Sequence, residues 1–528
     1  MSWDFRGAYQ RLRGTDEDLE KPGAQWPGIR ALAIGIWGNS RLRTMILSGL
    51  AILGTIALAI GATSEHLKML MPLPEPHAGY VHFIRPARGA SVDACRAFLS
   101  GQVLGYPAPT LYGFDQEFKD STYVDKGRSE FTLFQIMWML NGLGKERDDD
   151  LVVIADGENT WFQLPLGTLI ERYHAINREA YQRAIHQMGK KAVEQESIQQ
   201  KIVFAAQRRC EPNAKSEPAC YAIPKSPLPK DLYRKKTDDK DAHPEQLLPR
   251  YLDTNVIVGP VRDMRAMFLL AGKKGNGYGQ QKTDYARILN EIYGEQEYQR
   301  KVISARYSRG RSFSAWLRSQ RQDAKNFAPN PSYKTMPHYS DHPFDFGISL
   351  DYSGLLSSSS FGAENDYAWV HYNDTSDIAA ASQHLDIAKP RVSKLPEDIA
   401  HSRPPYFALN AFPPTLPNAT WSSLPLMTNL RTGVVPAILH EAGAGSNKDQ
   451  RRDDWWRRMW YTPELKGLIR ANMNPGRAPL AVDRRSDGGM VWFPKEQERR
   501  GGRKQGGDWV PWEDVCGGAA DRVFVGRN

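Results

Sequence analysis

Short apolar runs alternate with stretches of helical periodicity between about residues 80 and 300. The runs YVHFI (80–84), LVVI (151–154) and IVFAA (202–206) are rich in β-branched and aromatic residues and are bounded by polar or turn-forming residues. Such runs are typical of buried strands. The stretches between them, for example residues 166–188, have apolar residues at helical spacing. This alternation of strands and helices predicts an α/β sheet.

The second half of the chain is less regular. Apolar runs within residues 347–356, 366–372 and 432–443 predict late strands, and the tryptophan-dense stretch 453–473 predicts a closing helical element. From residue 474 the chain is rich in glycine and arginine, as in ERRGGRKQGGDW. Because such a composition buries little apolar surface, we expect a flexible tail there.

One apolar run is much longer than the others. Residues 44–63 (TMILSGLAILGTIALAIGAT) contain no charged side chain. As a helix they would extend about 30 Å, which is the thickness of the hydrocarbon core of a membrane. A buried globular helix would normally keep one polar face, and a cleaved signal peptide would be shorter and closer to the start. The run therefore predicts a transmembrane signal anchor.

The flanks of this run predict its orientation. Seven Lys and Arg residues precede it, whereas the stretch GATSEHLK that follows has one lysine and one glutamate. The positive-inside rule then places the start of the chain in the cytosol and the rest in the lumen of the Golgi or endoplasmic reticulum. The expected domains are a cytosolic tail (1–43), the anchor (44–63), a stem (64–78), a lumenal domain (79–473) and the flexible tail (474–528).

Composition excludes several classes of protein. Among 528 residues, 41% are hydrophobic and 24% are charged, which suits a globular body and excludes wholesale disorder. The chain has 69 Lys and Arg against 60 Asp and Glu, a net charge of +9. Because the two signs are interspersed and no concentrated basic face is evident, we expect no nucleic-acid partner.

A lumenal location gives meaning to two further features. Cys210 and Cys220 flank the short stretch EPNAKSEPA, and an oxidising compartment permits a disulfide between them. Asn373 and Asn418 each begin an N-glycosylation sequon, NDT and NAT. The sequon is a short and common motif, so each is a candidate glycosylation site only in the context of the predicted anchor.

The stretch DDDLVVIADGENTWFQLP carries the most specific chemistry. Apolar residues 151–154 are followed by Asp156, Gly157, Glu158 and Asn159, so acidic side chains lie where a strand is predicted to end. Ligands of α/β sheets bind at the carboxyl ends of strands. Oxygen-bearing side chains two or three residues apart suit Mg²⁺ or Mn²⁺. An ordinary acidic turn is the alternative, because Asp, Gly and Asn are common turn residues.

Here the sequence resembles the lysyl-hydroxylase-associated and procollagen glycosyltransferases, and more closely a set of single-pass fungal proteins that carry that domain. The acidic stretch VVIADGENTWFQLP resembles their D-x-x-D segment. Collinear similarity extends over about residues 80–470. It is carried by residues 80–113, 201–213 (KIVFAAQRRCEPN), 251–260 (YLDTNVIVGP), 293–300, 347–356 and 434–461.

The resemblance implies a GT-A-like mixed sheet flanked by helices, with a nucleotide-diphosphosugar donor and a divalent metal at the strand ends. Mn²⁺, or else Mg²⁺, is the implied metal, and a UDP-sugar is the expected donor. By position, Asp156, Glu158, Asn159 and His440 are the implied metal ligands. Asp253, Thr254 and Asn255 would line the donor. Asp156 and Asp284 are the implied catalytic residues, with Asp284 near the acceptor, which would be a protein or a glycan.

Three departures from the family pattern leave a second function open. Asn159 replaces an aspartate, which removes one negative charge from the cation site. The stretch YLDTN replaces YLNSG, and Asp284 is followed by Tyr285 in place of glutamine. The chain is therefore interpreted either as a membrane-anchored glycosyltransferase or as a catalytically degenerate GT-A-like protein that binds or scaffolds without turnover.

Two features near the end of the chain also leave alternatives. His440 ends an apolar run and is either a hydrogen-bonded core residue or a metal ligand, with His371 as a weaker candidate ligand. The tryptophans of the closing element, Trp455, Trp456 and Trp460, either pack in the core or stack on a sugar. The neighbouring arginines either face a diphosphate or form a solvated basic surface; they are Arg451, Arg452, Arg457 and Arg458.

Overall fold

The structure is a computed structural model. It describes residues 77–86, 89–114, 121–155, 159–239, 241–277, 284–308, 344–359, 363–409, 419–441, 447–472, 479–483, 489–493, 501–504 and 507–524. All of them lie in one compact unit, Glu75–Asn528. The predicted cytosolic tail and signal anchor fall outside these residues. Within the described part of the chain, no helix is both long enough and apolar enough to cross a membrane.

Strands and helices follow one another along the chain much as the apolar pattern indicates. The strands are β1 (His77–Pro86), β2 (Thr110–Tyr112), β3 (Leu151–Ala155), β4 (Thr160–Phe162), β5 (Ile202–Gln207), β6 (Tyr251–Pro260), β7 (Ile348–Asp351), β8 (Ser357–Ser359), β9 (Tyr367–Val370), β10 (Leu426–Asn429), β11 (Ile438–His440), β12 (Ala481–Asp483), β13 (Met490–Phe493), β14 (Gly501–Lys504) and β15 (Trp509–Pro511). The helices are α1 (Val92–Val103), α2 (Ser121–Gly142), α3 (Leu166–Met188), α4 (Lys190–Gln195), α5 (Pro218–Tyr221), α6 (Val261–Gly277), α7 (Tyr285–Ser308), α8 (Thr375–His384), α9 (Glu397–Ala400), α10 (Lys448–Arg458), α11 (Leu465–Asn472), α12 (Trp512–Cys516) and α13 (Ala520–Val523).

A mixed, mostly parallel sheet forms the centre of the unit. Its strand order is β15-β14-β2-β1-β3-β6-β5-β7, and β12 and β13 join it through β1. Strand β1 pairs in parallel with β2, β3 and β13, whereas β6 lies antiparallel between β3 and β5. The architecture is therefore α/β, as predicted.

Strand β3 shows why the sheet is buried on both faces. Val153 and its odd-numbered neighbours belong to one apolar cluster, with α1, the first half of α3 and the closing tryptophans. Val152 and Ile154 belong to the other cluster, with α2, α6 and α7. Side chains of a strand alternate between the two faces, so a run that is apolar at every position needs helices on both sides.

Two small sheets extend the unit beyond the central one. Strand β11 lies between β4, to which it is antiparallel, and β8, to which it is parallel. Strands β9 and β10 form an antiparallel pair. Strand β4 follows β3 in sequence after residues 156–158 and pairs with β11, the late strand that contains His440.

The prediction of a flexible tail from residue 474 is wrong for the described parts of that stretch. Strand β13 pairs with the first half of β1, β14 pairs with β2, and Cys516 forms a disulfide with Cys95 of α1. The glycines that suggested flexibility permit close packing instead: a Cβ atom on Gly501 would overlap the Val510 carbonyl oxygen. The sheet also begins at His77, so the last two residues of the predicted stem belong to β1.

Candidate functional site

A cavity of about 700 Å³ opens where strands of the central sheet end. Its walls include the residues that follow β5 and β7, such as Arg208 and Tyr352, and the first residues of β6. Because β6 runs opposite to β5, its beginning lies beside the end of β5. The cavity therefore lies at the edge of the sheet where ligands of α/β proteins bind.

The predicted donor residues form a bulge on this edge. Phe204 pairs with Ile257 and the next residue, Ala205, pairs with Asp253, so three residues of β6 are left without a partner on β5. Asp253, Thr254 and Asn255 all line the cavity. The Asp253 carboxylate accepts hydrogen bonds from the Asn255 backbone and side-chain nitrogens, each 3.0 Å away. A bulge of this kind redirects side chains from the sheet faces toward the end of the strand.

Asp351 holds the opposite wall of the cavity. This buried carboxylate ends β7 and accepts hydrogen bonds from the backbone nitrogens of Gly354, Leu355 and Leu356, at 3.0, 3.0 and 2.6 Å. It also lines the cavity together with Ser358 of β8. The carboxylate satisfies several backbone donors of one tight loop, so it determines the shape of the wall.

A buried cation cluster completes the wall. Arg208 and Arg431 both bind the Asp366 carboxylate, at 2.5 and 2.6 Å, and the Tyr233 hydroxyl donates to the same carboxylate at 2.6 Å. The Arg431 guanidinium also lies 4.8 Å from the centre of the Tyr233 ring. Burial raises the pKa of Tyr233. The hydroxyl therefore keeps its proton, and we interpret the cluster as structural support for the cavity.

Two of the predicted metal ligands, Asn159 and His440, lie at neighbouring positions of the paired strand ends beside the cavity. His440 pairs with Thr160 of β4, and the backbone nitrogen of Glu441 donates to the Asn159 carbonyl oxygen at 3.1 Å. The Asn159 side-chain amide donates in turn to the Glu441 carbonyl oxygen. On its other side, His440 pairs with Ser359 of β8, the strand that contributes Ser358 to the cavity wall. Asn159 and His440 are 281 residues apart in sequence, and the fold brings them together.

His440 has the properties of a neutral ligand. Its buried Nδ1 atom has no hydrogen-bond partner among the described residues. Burial lowers the pKa of His440 to about 4, Glu441 opposes this shift and Arg452 adds to it. The imidazole is therefore neutral at pH 7, the form in which histidine binds metals.

The described residues fit a divalent metal only in part. His440 provides an unpartnered nitrogen, and Asn159 retains its amide oxygen while its amide nitrogen binds Glu441. Asp156 and Glu158, the carboxylates of the predicted set, lie outside the described residues. Among the described residues, no three His, Cys, Asp or Glu side chains form a metal-binding group.

Glu441 is a site residue that sequence reasoning missed. Its carboxylate is fully buried and binds Arg451 at 2.6 Å and Arg452 at 3.0 Å. Arg451 and Arg452 thus anchor the residue after His440, while Arg457 and Arg458 are exposed. In the sequence, the only indication of this contact is that His440 and Glu441 precede the arginine pair Arg451 and Arg452.

The remaining predicted site residues are dispersed. Asp284 is exposed just before α7, where its carboxylate accepts from the Ala286 nitrogen at 3.0 Å, and Ala286 itself lines the cavity. Asn373 is exposed, whereas Asn418 lies outside the described residues. Cys210 and Cys220 form the expected disulfide. Sequence reasoning missed the second disulfide, because Cys95 and Cys516 are 421 residues apart.

Of the three tryptophans in the closing element, two are core residues and one remains partly exposed. Trp456 and Trp460 are buried in the apolar core, and their indole nitrogens donate to the carbonyl oxygens of Val523 and Gln163. Trp455 is only partly buried and packs edge-on against Trp161, with ring centres 6.3 Å apart. Packing therefore explains two of the three, and one indole remains available to a ligand.

We expect acid to destabilise the protein through His440. The pKa of His440 is about 4 in the folded protein, below its ordinary value in the unfolded chain. At a pH between these two values, the unfolded chain binds a proton more readily than the folded protein does. The free energy of unfolding should fall as the pH drops from about 6.5 to 4, by at most about 3 kcal/mol from this group. Denaturant titrations in the presence of EDTA at several pH values measure this effect. The free energy of unfolding of His440→Gln should lack this part of the pH dependence.

The exposed His384 provides the matched control for this prediction. His384→Gln should retain the wild-type dependence of stability on pH, because its imidazole is solvated in both states. A His440→Gln variant whose curve parallels the wild type between pH 4 and 6.5 would show that His440 is protonated without cost in the folded protein.

Comparison with known proteins assigns the chain to no family. No protein-family model matches the sequence, and no match is found among curated proteins. The resemblance described from the residues therefore stays a prediction. The case for a function rests on the cavity at the strand ends and on the neighbouring positions of Asn159 and His440 in the paired segments.

Proposed function

We propose that the chain is a metal-dependent glycosyltransferase that transfers a sugar from a nucleotide-diphosphosugar to a protein or glycan hydroxyl. The main support is that the predicted donor residues Asp253–Asn255 line a cavity of about 700 Å³ at the strand ends. Asn159 is hydrogen-bonded to Glu441, the residue after His440, and His440 pairs with β8, which contributes to the same wall. Polar side chains that converge on a large pocket are typical of a small-molecule site.

The proposed roles follow from what each side chain offers. Asp253, Thr254 and Asn255 bind the hydroxyl groups of the donor through the carboxylate, hydroxyl and amide that the bulge directs into the cavity. Asp156, His440 and either Asn159 or Glu158 hold Mn²⁺ or Mg²⁺. When bound, this metal neutralises the charge that develops on the departing nucleotide diphosphate. Asp284 lies at the start of α7, and we propose that it acts on the acceptor side.

We also propose that the body of the protein lies in the lumen of the Golgi or endoplasmic reticulum, held by one transmembrane helix at residues 44–63. All four cysteines are paired, in Cys95–Cys516 and Cys210–Cys220. Disulfides persist in oxidising compartments and are rare in the cytosol. The exposed sequon asparagine Asn373 is accessible for glycosylation there.

Nucleotide binding to the purified full chain tests the donor site. UDP with Mn²⁺ at about one hundred times its dissociation constant should stabilise the folded protein by about 2.7 kcal/mol. This gain, measured as a shift of the melting temperature, should vanish in Asp156→Ala because that variant loses a proposed metal carboxylate. Asp149→Ala, at an exposed aspartate close in sequence, should keep it. The absence of a shift with every nucleoside diphosphate would refute the donor site.

One observation favours a second function, a degenerate GT-A-like protein that binds or scaffolds without turnover. Asn159 replaces a carboxylate, and its amide nitrogen is occupied by the Glu441 carbonyl oxygen. Release of free UDP from UDP-sugars distinguishes the two functions. An enzyme should release UDP from at least one donor in the presence of Mn²⁺. The degenerate alternative would be established if the wild-type protein binds the nucleotide but releases no UDP, whereas the Asn159→Asp variant does release UDP.

A further inference from the structure

A second concave surface lies beside the proposed donor cavity. This groove, of about 820 Å³, is bordered by residues of β9, β10, α8 and α10. Two partly buried indoles, Trp369 and Trp455, contribute to its walls. Asp377, Asp454, Arg451 and Arg458 are its charged residues, and Asn447 and Gln450 add amides. None of the described residues proposed above to bind the donor or the metal lines it.

The groove adjoins the donor cavity at two points. Tyr367 lines both, and its hydroxyl is hydrogen-bonded to Ser358 in the cavity wall. Arg451 lines the groove and binds Glu441, the residue after His440. A ligand in the groove would therefore lie next to the strands that carry the proposed metal ligand.

The chemistry of the walls suits a carbohydrate. Indole rings offer flat apolar faces to the C–H faces of a sugar ring, and their N–H groups remain available as donors. Carboxylates, guanidinium groups and amides accept from and donate to hydroxyls. The two aspartates balance the two arginines, so the groove does not favour a polyanion.

Some of these side chains are held in place before any ligand binds. The Asp377 carboxylate accepts from the His371 backbone nitrogen at 2.8 Å and lies 2.9 Å from its Nδ1 atom. Trp455 rests edge-on against the fully buried Trp161. A preorganised wall loses little side-chain entropy on binding. His371 thereby positions the Asp377 carboxylate.

From these observations we infer that the groove binds an oligosaccharide, which serves as the glycan acceptor of the proposed transferase. The role as acceptor rests on the proposed function, whereas the binding of an oligosaccharide rests on the groove alone. The acceptor of the proposed transferase is then a glycan hydroxyl and not a protein hydroxyl.

Binding of defined oligosaccharides to the purified full chain tests the inference. The probe is a panel of neutral α- and β-linked hexose di- to tetrasaccharides, with an unstructured Ser/Thr-rich peptide as the comparison ligand. Trp369→Ala should weaken the best oligosaccharide by about tenfold or more, because it removes one stacking face. Trp138→Ala removes an exposed indole outside the groove and should change affinity by less than about twofold.

The UDP and Mn²⁺ melting shift is measured in the same samples, and Trp369→Ala should retain it. Oligosaccharide binding without any nucleotide shift would refute the transferase but keep the groove as a sugar-binding site. Failure of every oligosaccharide to bind, equal binding by Trp369→Ala and wild type, or binding of the peptide alone would each overturn the inference. Loss of the nucleotide shift in Trp369→Ala would point to misfolding, and Asp377→Asn would then replace it as the test variant.

Discussion

Deletion of residues 479–528 should leave the chain unable to form a stable fold. The deletion removes β13 and β14, which pair with β1 and β2, and exposes the backbone groups of two strands next to the centre of the sheet. It also removes Cys516, the partner of Cys95. Loss of a native disulfide alone typically costs about 2–5 kcal/mol, a large part of a total stability of about 5–15 kcal/mol.

Thermal melting of the deletion variant, followed by circular dichroism and limited proteolysis, measures this effect. The variant should lack a cooperative transition and should be cleaved within the central sheet. A deletion variant that melts within a few degrees of the full chain would show that the C-terminal strands are not part of the stable sheet.

The two disulfides provide an internal comparison for the same claim. The Cys95–Cys516 bond spans 421 residues and the Cys210–Cys220 bond spans 10. In the chain-entropy description, the longer loop should contribute about 3 kcal/mol more to stability. The double variant Cys95→Ser/Cys516→Ser should therefore be much less stable in urea than Cys210→Ser/Cys220→Ser. Equal losses would mean that closure of the long loop is not what stabilises the protein.

Replacement of Glu441 by glutamine should be the most damaging single substitution at the candidate site. The carboxylate has no exposed surface and neutralises Arg451 and Arg452. Removing one member of a buried charged cluster leaves uncompensated charge and costs about 3–5 kcal/mol. We expect the lower end of this range, because both guanidinium groups retain some contact with solvent and Arg452 keeps its 2.8 Å bond to Asp93.

The effect should also reach ligand binding. The backbone of Glu441 is hydrogen-bonded to Asn159 in both directions, so loss of its anchor should loosen the position of His440. We expect Glu441→Gln to lose both stability in urea and the UDP and Mn²⁺ melting shift. Asp449→Asn is the matched control, because this aspartate lies 3.9 Å from the same Arg452 but is 76% exposed. Its cost should be about 0–1 kcal/mol.

A Glu441→Gln variant as stable as Asp449→Asn would mean that the arginine pair is solvated and adds nothing to the site. A variant that loses stability but keeps the nucleotide shift would separate the two roles. In that case the cluster would stabilise the fold without positioning the ligands.

Much of the central sheet could be predicted from local pattern. Strand β6 coincides with the predicted run YLDTNVIVGP, and β3 lies within LVVIA, which is apolar at every position because helices cover both of its faces. Helix α3 begins and ends where its apolar periodicity does, at Leu166 and Met188. These features depend on residues close together in sequence, so the chain itself reveals them.

The details of the candidate site could be predicted only in part. The run of Asp253, Thr254 and Asn255 was identified by resemblance, but their exposure to the cavity depends on a bulge relative to β5, about fifty residues earlier. His440 was identified as a candidate, whereas its lowered pKa depends on the buried surroundings that the fold creates. Neither the bulge nor the burial has a local signature in the sequence.

The sequence by itself determined most strands and helices between about residues 80 and 300, and it singled out the acidic stretch, the donor run and His440 as candidates. The tertiary structure alone decided that the Gly/Arg-rich C-terminal residues enter the sheet, that Cys95 pairs with Cys516, and that Glu441 unites the arginine pair with Asn159. The physical reason is the distance along the chain over which each interaction acts. Backbone propensity and apolar periodicity act over a few residues, whereas strand pairing, disulfides and buried charge clusters join residues that only the folded chain brings into contact.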